Sequence, residues 1–119
     1  MKPFALPKDA IIKSPVDFYK HYKGGKVFKG KLFILFIRKS PSHKIGFTVE
    51  KGIKSAVKRN RIKRKSREIW RLYARQYHPV SMIMLARESV FSASFIDLRN
   101  DFISIMTKVH FFYERKWYE

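Results

Sequence analysis

Apolar residues along this chain follow two rhythms, and each predicts a kind of element. In Lys31 to Lys39 (KLFILFIRK), Phe33, Leu35 and Ile37 alternate with Leu32, Ile34 and Phe36. Both faces of that run are apolar, which predicts a short strand covered on both sides. Ile34 and Phe36 share one face, and the period alone leaves open which face is core. Ser40-Pro41-Ser42 reads as a turn. Lys44 to Lys51 (KIGFTVEK) predicts a second strand, with Ile45, Phe47 and Val49 on one face. The short turn between them predicts an antiparallel hairpin. Val80 to Ala86 (VSMIMLA) predicts a third strand.

The other rhythm is helical. Ser14-Pro15 offers a cap and a first-turn proline, Phe18, Tyr19 and Tyr22 recur at helical spacing, and Gly24-Gly25 is a stop. This predicts a helix over 15–23. Residues 54–76 contain neither Gly nor Pro, begin at a potential N-cap, Ser55, and end before His78-Pro79. A last helix over about 95–112 carries Phe95, Leu98, Phe102, Ile105, Met106 and Val109 as an apolar stripe, with caps available at 92–94. Residues 1–13 form an N-terminal leader segment and 113–119 a loose tail. The order helix, strand, strand, helix, strand, helix predicts one domain over 1–119: an α/β sandwich, or α+β, of one small sheet with helices on it. The length suits a single domain.

Charge narrows the function classes. The 119 residues carry 27 Lys and Arg against 9 Asp and Glu, a net charge of +18. A small domain so charged repels itself unless a polyanion neutralises it. The longest apolar run, Leu32 to Ile37, is six residues, far short of the roughly 20 a spanning helix needs, so no membrane partner is expected. The N-terminus has no apolar core of signal-peptide type. Absence of cysteine excludes disulfides, thiolate zinc sites and a thiol nucleophile, and fits a cytoplasmic location.

Half of the charge has an address. Lys54 to Arg75 holds ten cations and one acid, Glu68, for a net +9. On a helical wheel, Ile62, Ser66, Ile69 and Tyr73 stack on one side with Trp70 beside them, while Asn60, Lys63, Arg64, Arg67 and Arg71 lie opposite. A solvated helix mixes signs for pairing three and four residues apart. An almost purely cationic face, rich in Arg that can grip phosphate with two bonds, points to nucleic acid. Composition leaves RNA and DNA both open. Catalytic chemistry is not in view. His21, His43, His78 and His110 lack metal-ligand spacing and read as surface or helix-end residues, and the acids are scattered without a paired-carboxylate motif.

The stretch Ala56 to Glu68 (AVKRNRIKRKSRE), with Arg59-Asn60-Arg61-Ile62-Lys63-Arg64 at its centre, resembles the signature of the bacterial ribonuclease P protein subunit. Asp17-Phe18, Gly25, the strand around Phe33 to Phe36, and Ile45-Gly46 through Val49 and Lys51 agree in order, so the resemblance spans about residues 14–110. It implies one mostly antiparallel sheet with the basic helix in an unusual left-handed crossover, as in the second domain of ribosomal protein S5. It also implies a partner, a catalytic RNA, which with bound Mg2+ removes the 5′ leader of precursor tRNA. In this endoribonuclease the RNA carries the chemistry. Arg59, Asn60, Lys63, Arg64 and Arg67 match the RNA-facing signature, joined on the helix by Lys58, Arg61 and Arg71. Phe18, Tyr22, Ile34 and Phe36 match the wall of a cleft for the leader, with Lys51 a nearby cation. Many members have Gly-Asn before the helix where this chain has Lys54-Ser55. Ser55 can still cap, and Gly52 can take the unusual dihedral.

Overall fold

The computed structural model describes residues 10–114. Three helices and four strands follow one another as α1 (Pro15–Gly24), β1 (Lys26–Lys29), β2 (Phe33–Lys39), β3 (Lys44–Val49), α2 (Ala56–Tyr73), β4 (Val80–Ala86) and α3 (Phe95–Tyr113). Short 3-10 turns, Ala74–Gln76 and Glu88–Phe91, precede and follow β4. Capping chemistry sets the long helices. Ser55 and Ser94 accept from the Lys58 and Asp97 amides, each satisfying a donor that a helix start leaves over. Gly52 has φ +98°, the only positive φ among the described residues. It takes the unusual dihedral in the turn before α2, as expected, and Lys54-Ser55 keeps ordinary backbone.

The four strands are ordered β1-β2-β4-β3. β1 pairs antiparallel with β2, from Lys26 opposite Ile37 to Lys29 opposite Ile34. β2 pairs antiparallel with β4, from Phe33 opposite Ala86 to Lys39 opposite Val80. β3 lies parallel to β4, from Lys44 beside Ser81 to Val49 beside Ala86. The sheet is therefore mostly antiparallel, as expected, but the expected hairpin between β2 and β3 does not form. β4 inserts between them, because the connection from β3 runs through α2 and returns parallel, as a parallel pair requires. β1 is an unforeseen strand. KVFK is four residues with two apolar positions, too little pattern to register.

Period two sorts the sheet into two faces. Phe33, Leu35 and Ile37 of β2, Ile45 of β3, and Met82 and Met84 of β4 are buried under α2 and α3, which contribute Ile62, Ile69, Trp70, Phe102 and Ile105. Ser66 joins this buried side and donates to the Ile62 carbonyl, while Tyr73 is half-buried at its edge. Asp101 on α3 accepts from the amides of Lys31, Leu32 and Phe33 at 2.8–3.0 Å and so ties the β1–β2 turn to the helix. Among the described residues, α1 is the helix that crosses the opposite face, against β2 and β4.

Two expectations at the ends are amended. Residues 10–12 of the leader segment dock on β3: the Ile12 amide donates to the Ile45 carbonyl at 2.7 Å, and Ala10 and Ile12 are buried. This covers an edge strand that would otherwise present unpaired backbone. Tyr113, assigned to a loose tail, is buried as the last helical residue. Residues 1–9 and 115–119, the rest of those two segments, lie outside the described residues.

Candidate nucleic-acid interface

Two surfaces carry the candidate chemistry, one on each side of the sheet. α2 seats its apolar stripe against β3 and β4 and turns its cations outward. Those cations divide into two sets. Some are engaged internally. Arg59 donates from one guanidinium nitrogen to the Ile53 and Lys54 carbonyls, at 2.6 and 2.9 Å, bracing the turn around Gly52. Lys58 pairs with Glu88 at 3.0 Å and lies over the Phe91 ring. Lys65 donates to the carbonyls of Val90, Phe91 and Ala93. Arg71 pairs with Glu68. The Arg67 guanidinium stands 5.5 Å from the centre of the Phe47 ring. The others, Arg61, Lys63 and Arg64 with Asn60, make no hydrogen bond or ion pair among the described residues. Asn60, Arg61 and Arg64 are exposed and Lys63 half-exposed. Sequence periodicity could not separate these sets, because the internal partners are mostly backbone carbonyls or residues brought close by the fold.

The second surface is a cleft beside α1. Phe18 and Tyr22 stand one turn apart with ring centroids at 6.2 Å. Tyr22 meets Phe36 edge to face at 4.8 Å. Phe36 pairs across the sheet with Val27 on one side and Ile83 on the other, and Ile34 pairs with Lys29 and Leu85. The structure thus puts Phe18, Tyr22, Ile34 and Phe36 on one face, and gives Phe33, Leu35 and Ile37 to the core. The wall is only partly covered: Tyr22 remains 41% exposed, and Phe18, Ile34 and Phe36 are half-buried. Burial pushes the Tyr22 phenol above its usual range, and a hydrogen bond with Thr48 opposes that in part. Lys51 is exposed in the turn after β3.

Gly46 is a cleft residue that the sequence reading named only as part of the matching strand, without a role in the cleft. A Cβ there would sit 2.9 Å from Phe18 Cζ and 2.7 Å from Ile83 Cδ1. The glycine is the seat on which Phe18 rests. The physical signal for that role is a Gly inside a strand pattern, a mark of close approach. Of the two readings offered for His21, surface or helix end, it takes the second. It stands in the last turn of α1, 3% exposed, with Nδ1 2.6 Å from the Asp17 carbonyl and Nε2 2.7 Å from Ser81 Oγ. It pins α1 to β4 between cleft and helix start.

The acids offer little to a metal ion. Glu68 is paired with Arg71, Asp101 accepts three amides, and Glu50 accepts the Glu88 amide at 2.6 Å. No group of three or more His, Asp or Glu that could hold a metal occurs among the described residues. Among the described residues, the donor set thus does not fit a magnesium site of the protein's own.

The profile of the family described as Ribonuclease P matches residues 6–110. The chain belongs to the ribonuclease P protein component family. A ribonuclease P protein component of Dictyoglomus thermophilum is 33% identical over 110 residues, covering 88% of this chain and 92% of that one. One from Syntrophomonas wolfei is 32% identical over 110 residues, covering 90% and 92%. Among solved structures, the Staphylococcus aureus ribonuclease P protein superposes with TM-score 0.73 at 23% identity, over 84% of this chain and 94% of that chain. The Thermotoga maritima protein gives 0.71 at 21%, over 82% and 94%. These likenesses show a shared fold. Family membership makes the chain part of a ribonucleoprotein endoribonuclease of tRNA processing, with RNA as its partner. No helix among the described residues is long and apolar enough to cross a membrane.

Proposed function

We propose that this chain assists the catalytic RNA of ribonuclease P in magnesium-dependent removal of the 5′ leader from precursor tRNA, in the cytoplasm, with its two surfaces dividing the work. The outward face of α2 docks on the catalytic RNA. Arg61, Lys63 and Arg64 supply phosphate contacts with Asn60 among them, and Arg59, Lys58, Arg67 and Arg71 fix the helix and add to its field. The cleft holds the single-stranded leader of the precursor tRNA. Partly exposed rings at Phe18, Tyr22 and Phe36, with Ile34 beside them, can stack on unpaired bases without demanding a sequence, at about 1–3 kcal/mol per base. Lys51 supplies a phosphate contact at the cleft's margin. Chemistry lies in the RNA and the Mg2+ it holds. The protein's cations lower phosphate repulsion in the complex, which raises affinity for both substrate and magnesium.

The observation that carries this reading is the partly exposed aromatic wall on the face opposite the cationic helix, in a chain of this family. The test separates the surfaces. Arg64→Ala is expected to weaken assembly with the catalytic RNA. Phe18→Ala is expected to weaken binding of leader-bearing precursor tRNA about 5- to 150-fold, the equivalent of one stacked base, with assembly intact. If both changes alter the same step, the division of surfaces is wrong.

A further inference from the structure

On the other side of α1 from the cleft, the end of the sheet opens into a cavity of 570 Å³. We propose that this cavity is a second phosphate site, one that grips the RNA backbone and is distinct from both the cleft and the face of α2. The inference rests on the family's RNA partnership, and it adds to the proposed division of surfaces a third point of contact.

Among the described residues, four cations line the cavity, Lys13, Arg38, Lys39 and Lys44, against one carboxylate, Asp17. Asp17 stands in the first turn of α1, where its charge answers the positive end of the helix. The register explains why the cations gather. Arg38, Ser81 and Lys44 occupy one row across β2, β4 and β3. Arg38 and Lys44 thus flank Ser81 at two strand spacings, roughly 10 Å apart. An anion of phosphate size can be reached from both sides by side chains of that length. Lys13 enters from the segment that docks on β3. Arg38 and Lys13 are exposed and make no hydrogen bond or ion pair among the described residues.

The cations stand around a concave floor rather than on an open surface. His21 and Ser81, both buried, line the cavity and are joined to each other by a 2.7 Å hydrogen bond. Nδ1 of His21 is committed to the Asp17 carbonyl at 2.6 Å. The Asp17 carbonyl can only accept, so Nδ1 donates to it and Nε2 is left to the Ser81 hydroxyl. Both members of the pair are thereby satisfied, as buried polar groups are, and the contacts to an anion come from the cations around them. The pair also makes α1 the partition: Phe18 and Tyr22 look into the cleft, while Asp17 and His21 look into this cavity.

The test uses Lys13→Gln with Arg38→Gln in the holoenzyme reconstituted on a bacterial catalytic RNA. One arm measures assembly with that RNA. The other measures affinity for precursor tRNAs with leaders of increasing length, against mature tRNA. Each is followed over a salt series from 50 to 200 mM. Releasing two phosphates of a single strand makes the slope of log affinity on log salt shallower by about 1.4. Over that salt range the wild type then loses about sevenfold more affinity than the variant. A change of slope in the assembly arm assigns the phosphates to the catalytic RNA. A change confined to long leaders assigns them to the substrate. Lys31→Gln with Lys108→Gln removes the same charge elsewhere and is expected to change either slope by less. The proposal is overturned if the cavity variant leaves both slopes unchanged, or if the control pair changes them as much. Phe18→Ala and Arg64→Ala, run beside it, report separately on the cleft and the helix, so a failure there is not confused with a failure here.

Discussion

Replacing Gly46 by alanine probes the link between sheet packing and the cleft. The new Cβ meets Ile83 Cδ1 at 2.7 Å and Phe18 Cζ at 2.9 Å, with Phe18 Cε2 at 3.2 Å. Carbon atoms rest at about 3.5–4.0 Å, so the Phe18 ring must retreat by roughly 0.6–1.1 Å or tilt. Ile83 can swing its terminal methyl, but it is fully buried and has little room. Overpacking of this kind costs about 1–3 kcal/mol. For a domain near 100 residues that is a fall in Tm of roughly 5–20 °C. The ring is also displaced from the place where it meets the leader. Gly46→Ala is thus expected to lower Tm and weaken leader binding, while affinity for mature tRNA and assembly with the catalytic RNA hold. A double-mutant cycle locates the cause. Phe18→Leu should relieve the clash, so the pair is expected to be less destabilised than the sum of the singles, with a coupling of about 0.5–3 kcal/mol. Thermal and urea denaturation measure the cycle. Strict additivity, or an alanine variant as stable as the wild type, refutes the seating of Phe18 on Gly46.

Two more expectations follow from local chemistry. Ser55→Ala removes the acceptor of the Lys58 amide and should cost about 0.5–2 kcal/mol, measured by urea denaturation, with assembly weakened by fraying of the first turn that carries Lys58 and Arg59. His43 packs edge-on against Trp70, and burial holds its pKa below the usual histidine value, with the nearby charges of His78 and Arg75 adding to the effect. The unfolded chain then binds the proton more readily, so stability falls as pH drops from above the ordinary histidine value through the lowered one. His43→Gln is expected to flatten that part of the stability profile, and an unchanged profile contradicts the assignment.

Much of this fold is legible in the sequence, and the misreadings have physical causes. The helix bounds agree well because Ser14-Pro15, Ser55 and Ser94 are true starts. Gly52 takes the positive φ because Lys54-Ser55 could not do so cheaply. The hairpin between β2 and β3 is a misreading because strand periodicity says nothing about which strand is the neighbour. A short turn suggests adjacency, while the crossover through α2 places β4 between. The two faces of β2 are equally apolar in sequence, so which of Phe33 or Phe36 faces the core depends on what α1, α2 and α3 cover. Likewise Arg59 and Arg64 look alike in the signature, yet only the fold reveals that Arg59 is braced on the Ile53 and Lys54 carbonyls. His21 is a helix-end residue, one of the two readings the sequence allowed, but its burial is hidden there because its partner, Ser81, is 60 residues away in the chain.

The most direct test of the central claim is reconstitution. The purified chain is added to a bacterial catalytic RNA and a precursor tRNA at low magnesium, and formation of the mature 5′ end is measured. A gain in cleavage and in affinity for leader-bearing over mature tRNA is expected when the protein is present. No gain in either, with the protein folded, contradicts it.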